Sequence, residues 1–166
     1  MINVTDEADV REWYVREVKE RIEDSGSDVY AIVKFCHFRP DYASRYFKGN
    51  PFPKLWNIIL MAEYFGCSVN DLLGYEEVED VNTYEKYLAS KTYLGEDEFA
   101  IRFRNRLIRI MDEFCISAKD IHDYTKISMN TIESWICEKP EALPSVMQLI
   151  HICDALDCTP SDLLGY

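Results

Sequence analysis

Residues Pro53–Tyr75, PKLWNIILMAEYFGCSVNDLLGY, recur at Pro144–Tyr166 as PSVMQLIHICDALDCTPSDLLGY, at a constant offset of 91 and with eight of 23 positions identical. Leu55, Ile58, Ile59, Ala62 and Phe65 of the first copy align with Val146, Leu149, Ile150, Cys153 and Leu156 of the second. Steps of three, one, three and three residues keep all five on one stripe of a helix, so each copy predicts an amphipathic helix with the same buried face. Ser68 with Asp71, and Thr159 with Asp162, each place a hydroxyl N-cap three residues ahead of an acid, the opening of a second, shorter helix. Pro160 takes the favoured first helical position, and Gly74 and Gly165 suit left-handed C-caps.

Upstream of each copy the periodicity predicts three more helices. They fall at about 8–24, 29–36 and 40–48 in the first half, the third opening on Pro40, and at about 97–114, 118–125 and 129–137 in the second, the last two capped by Ser117 and Ser128. No alternating strand pattern interrupts them. The expected fold is all-α, with two tandem five-helix units at 1–75 and 96–166. Residues 76–95 form an acidic linker, EEVED at Glu76–Asp80, followed by a short helix from Asn82 to Ser90. Units of this size bury only ~60% of the surface of the unfolded chain. They are therefore expected to pack on each other or on a second chain, through faces that include Tyr75 or Tyr166.

With 48% apolar and 13% aromatic residues in 166, the chain has the composition of a packed globular protein. No apolar run reaches the ~18 residues of a bilayer span, and MINVTDEADVREW carries acids where a signal peptide would be basic and apolar. A cytoplasmic location without a membrane partner is the expectation. The six cysteines show no C-x-x-C spacing and sit among apolar residues at helical positions, which predicts buried free thiols. Only Cys153 and Cys158 come near a zinc-ligand pair, and no second pair follows. His37, His122 and His151 lack a carboxylate or thiol at ligand spacing. With no nucleophile elbow, glycine-rich phosphate loop or H-E-x-x-H helix, neither catalysis, a metal nor a cofactor is expected.

The second half resembles the lambda-repressor-like (Xre/Cro) helix-turn-helix domain through Ile116-Ser117, Ile121, Ile127-Ser128, Thr131-Ile132, Trp135, Leu149, Ile150, Leu156 and the closing Asp162-Leu163-Leu164-Gly165-Tyr166. Ile32, Phe38, Ala43, Tyr46, Gly49 and Pro53 keep the same spacing in the first half. Pro53 follows Tyr46 at an offset of seven and Pro144 follows Trp135 at an offset of nine, a two-residue insertion in the second unit. The resemblance implies that the third helix of each unit enters the DNA major groove while the second crosses the backbone. Carried over by position, the DNA-facing candidates are Lys34, Arg39, Asp41, Ser44, Arg45 and Lys48 in the first unit. In the second they are Ser128, Met129, Asn130 and Ser134. Arg suits the paired acceptors of guanine and Asn those of adenine. Where the family commonly has a phosphate-binding Gln at the start of the second helix, this chain has Val29 and Ala118.

The formal net charge is -12, so the molecule as a whole repels phosphate. Locally the balance reverses: between Lys34 and Lys54 five cations face one carboxylate, Asp41, whereas between Lys119 and Ser145 three cations face five carboxylates. Phosphate neutralisation supplies most non-specific affinity. The expected function is therefore a transcriptional regulator that binds duplex DNA mainly through the first unit. A competing reading stays open, an acidic protein-interaction module of DNA-mimic or inhibitor type that keeps the fold without binding DNA; a protein partner or homodimer is compatible with both. A further basic cluster, Arg102, Arg104, Arg106 and Arg109, places Arg102, Arg106 and Arg109 on one helix face. It is expected to pair with Glu98, Asp112, Glu113 or the EEVED segment.

Overall fold

The computed structural model of the chain describes residues 6–75, 95–140 and 142–164. Gly165, Tyr166, the EEVED segment and the helix expected from Asn82 to Ser90 lie outside them. The chain divides into two compact units, Met1–Val78 and Glu79–Tyr166. All regular structure among the described residues is helical.

In the first unit the helices are α1 (Glu7–Ser25), α2 (Val29–Phe35), α3 (Pro40–Phe47), α4 (Leu55–Phe65) and α5 (Val69–Leu73). Val10, Tyr14 and Val18, spaced four apart, form the buried line of α1. Tyr14 lies in the middle of the core, its ring centroid 5.3 Å from that of Phe52 and its hydroxyl 3.5 Å from the Met61 sulfur. Two contacts fasten α1 to α5: the Trp13 indole N–H donates to the Asp71 carbonyl at 2.9 Å, and Arg21 lies between Glu17 at 2.7 Å and Asp71 at 3.7 Å. On α4, Leu55, Ile58, Ile59 and Ala62 are buried as the stripe predicts; Phe65 is only half-buried, and Met61 joins the core beside them. The Ser68–Asp71 capping box forms in both directions, and Gly66 and Gly74 close α4 and α5 with left-handed backbone.

The second unit comprises α6 (Glu96–Glu113), α7 (Ala118–Thr125), α8 (Met129–Ile136), α9 (Val146–Leu156) and α10 (Pro160–Leu164). Every residue of the predicted α9 stripe is buried, and Ile152, aligned with Met61, is buried as well. Phe103 of α6 meets Trp135 of α8 edge to face, with centroids 6.0 Å apart. Asp120 and Ser117 form a capping box at the start of α7, and Asp162 and Thr159 exchange the same pair of bonds at the start of α10.

All six cysteines are free, but not all are buried. Cys36, Cys67 and Cys153 are buried and Cys158 is half-buried, whereas Cys115 and Cys137 are exposed. The exposed pair sits just past the ends of α6 and α8, where the helical stripe that would turn them inward has stopped. Burial pushes the Cys36 and Cys67 thiols up from 9.0 to about 12, and raises the Tyr14 hydroxyl too. A raised folded-state pKa means that this stabilisation is complete below pH 9 and is lost between about 9 and 12, as the unfolded chain ionises first. Thermal melts of the first unit's helix signal are expected to shift down steadily above pH 9. A transition flat to pH 11 would contradict the burial of these thiols.

Candidate nucleic-acid interface

In the first unit Asp28 caps α2 by accepting from the Tyr30 amide at 3.1 Å. The chain then turns through Cys36 and His37 into α3. Bonds from the Cys36 amide to the Ile32 carbonyl (2.9 Å) and from the Phe38 amide to the Val33 carbonyl (3.0 Å) close the turn. His37 adopts φ 54°, the left-handed region that usually calls for glycine. The corresponding turn of the second unit uses Lys126 at φ 63°, closed by its amide on the His122 carbonyl at 2.8 Å. The His122 ring nitrogen lies 2.7 Å from the Ile127 carbonyl oxygen, so this histidine has a local structural role.

Ala43 is the buried anchor of α3, and Phe38 just before it is buried too. Lys34, Arg39, Asp41, Ser44, Arg45 and Lys48 are all exposed, as is Lys54 beyond the loop. Arg39 is the N-cap residue of α3 but makes no capping bond with its side chain. Its guanidinium lies 5.4 Å from the centroid of the Tyr42 ring, and that of Arg45 lies 5.6 Å from the same ring. Tyr42 continues into Tyr46 at 6.2 Å, and Tyr46 packs edge to face on Phe38 at 5.2 Å. The Arg39–Asp41 ion pair is long, 4.0 Å, with both side chains 77% exposed, and contributes little. After α3 the chain passes through Gly49, at φ 63°, against α1.

The second unit presents different chemistry at the same helix positions. Counted from the N-cap, Arg39, Tyr42 and Arg45 of the first unit correspond to Ser128, Thr131 and Ser134. Ser128, Asn130 and Ser134 are exposed. Ser128, however, accepts from the Thr131 amide at 3.2 Å and shares a 2.7 Å bond with the Thr131 hydroxyl, while Ser134 donates to the Thr131 carbonyl at 2.6 Å. Met129, the fourth candidate, is half-buried, so two of the three exposed candidates there are engaged by their own helix. On α7, Lys119 pairs with Asp123 at 2.6 Å, a contact that raises the pKa of the lysine and lowers that of the carboxylate. Bonds from Ser117 hold the Asp120 carboxyl below its usual range.

Among the described residues the arginine cluster of α6 makes none of the expected pairs with Glu98, Asp112 or Glu113, and the EEVED segment lies outside those residues. Arg102, Arg106 and Arg109 do neighbour one another: burial, with the positive charge of the other two, lowers the pKa of Arg106. Among the described residues none of the four arginines forms an ion pair. Arg106 donates to the Asp162 carbonyl at 3.0 Å, Arg104 to the Cys137 carbonyl and to Asn105, and Arg102 lies over the Phe99 ring. Glu98 is withdrawn from such pairing because it closes the helix start, accepting from the Gly95 amide at 2.9 Å. Three of the arginines therefore brace α6 through carbonyls and a ring.

No group of His, Cys, Asp and Glu among the described residues could hold a metal ion, and no helix there is long and apolar enough to cross a membrane. Residues 106–166 match the family model of the Cro/C1-type HTH DNA-binding domain. No curated protein and no solved structure matches the chain. A Cro/C1-type helix-turn-helix domain, a DNA-binding class, is thus found in the second unit, spanning the C-terminal half of α6 through α10.

Proposed function

We propose that the protein is a transcriptional regulator built from two Cro/C1-type units in tandem, and that the first unit is its main DNA reader. The observation that carries this is the exposed cationic surface on and around α3: Lys34, Arg39, Arg45, Lys48 and Lys54 against Asp41, in a chain at -12. Lys34, Lys48 and Lys54 neutralise phosphates along the flanks. Arg39 and Arg45 face base edges, where an arginine reads guanine through two parallel bonds. Asp41 and Ser44 stand on the same exposed side, and a carboxylate there can accept from a cytosine amino group. No catalytic step and no cofactor belong to this reading.

For the second unit a different role is supported by its own surface. Lys119 is paired, Ser128 and Ser134 are engaged within α8, and carboxylates outnumber cations around the helix-turn-helix. That unit is better suited to a protein partner or a second copy than to holding a phosphate backbone alone.

The test is selection of a preferred duplex from a randomised pool, followed by a salt titration of binding. Lys48→Ala is expected to weaken preferred and random duplexes alike and to reduce the salt slope by about one. Failure to bind any duplex at low salt would transfer the proposal to the protein-interaction reading.

A further inference from the structure

We infer that Tyr42 is a positioning residue for DNA readout, a ring that holds Arg39 and Arg45 ready before DNA arrives; this rests on the assignment of the first unit as the reader. Residues 39, 42 and 45 follow one another at steps of three, so they share one edge of α3. Both guanidiniums lie within 5.6 Å of the Tyr42 centroid, inside the range of a cation–π contact. Two like charges on one ring repel, and the ring quadrupole offsets that repulsion.

The ring itself is anchored. Tyr42 contacts Tyr46, Tyr46 contacts Phe38, and Phe38 is buried in the unit. An aromatic series thus runs from the core to the two cations. Each free arginine carries about 2 kcal/mol of rotamer entropy that binding would otherwise have to overcome. A cation–π contact takes no N–H hydrogen bond from the guanidinium, so the contact with Tyr42 does not compete with bidentate bonding to guanine. Asp41 does compete for those N–H groups, but only through the long, exposed ion pair. The second unit lacks the device: Thr131 stands at the Tyr42 position, between two serines that bond to it.

The experiment compares Tyr42→Phe and Tyr42→Leu in the full chain. In the free protein, NMR of the arginine δ-methylene and ε-NH resonances should show ring-current shifts at both Arg39 and Arg45 that persist in Tyr42→Phe and vanish in Tyr42→Leu. With the selected duplex as probe, Tyr42→Leu should weaken binding about tenfold and Tyr42→Phe less than about twofold. Random duplex should be held nearly as before. Arg39→Ala and Arg45→Ala should each cost less in the Tyr42→Leu background than in wild type, a coupling that a merely structural tyrosine would not produce. Additive losses, or arginine resonances indifferent to Tyr42→Leu, would overturn the positioning role alone. Absence of duplex binding by the wild-type chain would overturn the reader assignment and this role with it.

Discussion

Replacing Arg39 and Arg45 together by alanine is expected to weaken binding to the preferred duplex by a factor of about thirty to about twenty thousand. A good bidentate arginine–guanine pair discriminates by about 1–3 kcal/mol, and the two side chains are the exposed cations at the N-cap and in the last turn of α3. Because both contact Tyr42, the double loss should differ from the sum of the single losses. The matching triple change in the second unit, Ser128→Ala, Asn130→Ala and Ser134→Ala, should alter duplex affinity by less than about threefold. Ser128 also caps α8, so that variant should lose about 1 kcal/mol of stability even while its DNA affinity stands. Competition binding on one selected duplex compares the two sets directly. Equal losses from both would mean that the units share the reading.

Gly49→Ala is expected to damage the folding of the first unit strongly. At φ 63° an alanine is strained in its backbone, and its Cβ would stand 2.9 Å from Arg11 Cγ and 3.0 Å from Val15 Cγ2 on α1. Left-handed backbone costs a non-glycine residue about 1–2 kcal/mol, and overpacking typically adds about 1–3. For a domain of this size each kcal/mol lowers Tm by about 4–8 °C, so a fall of about 8–40 °C is expected. Gly26→Ala is the control. Its φ is similar, 59°, but nothing lies within 4 Å of the added Cβ, so it should lose only the backbone share. Similar melting temperatures for the two variants would show that the packing of the α3–α4 loop on α1 contributes little.

The helices were legible because their apolar residues recur at the helical period and their ends carry caps. The α9 stripe is buried throughout, and α4 differs only where Met61 is drawn in and Phe65 is left half-buried. The turns were less so. His37 and Lys126 take left-handed backbone without being glycine, and no residue pattern announces it. For the arginines of α6, composition counts charges and does not show that Glu98 is engaged by a helix start while carbonyls take up Arg104 and Arg106. The place of Tyr42 is hidden for a related reason. An aromatic at helical spacing reads as core, and only the coordinates place two guanidiniums within reach of its ring. Similarly, Ser128 and Ser134 carry groups suited to DNA, but their bonds to Thr131 emerge only from the folded helix.

The most direct measurement is a backbone amide chemical-shift map of the full chain titrated with the selected duplex at low salt. The largest perturbations are expected at Lys34, Arg39, Asp41, Ser44, Arg45 and Lys48, with Ser128, Asn130 and Ser134 shifting little. Perturbations centred on α8, or none in either unit, would contradict the assignment of the first unit as the DNA reader.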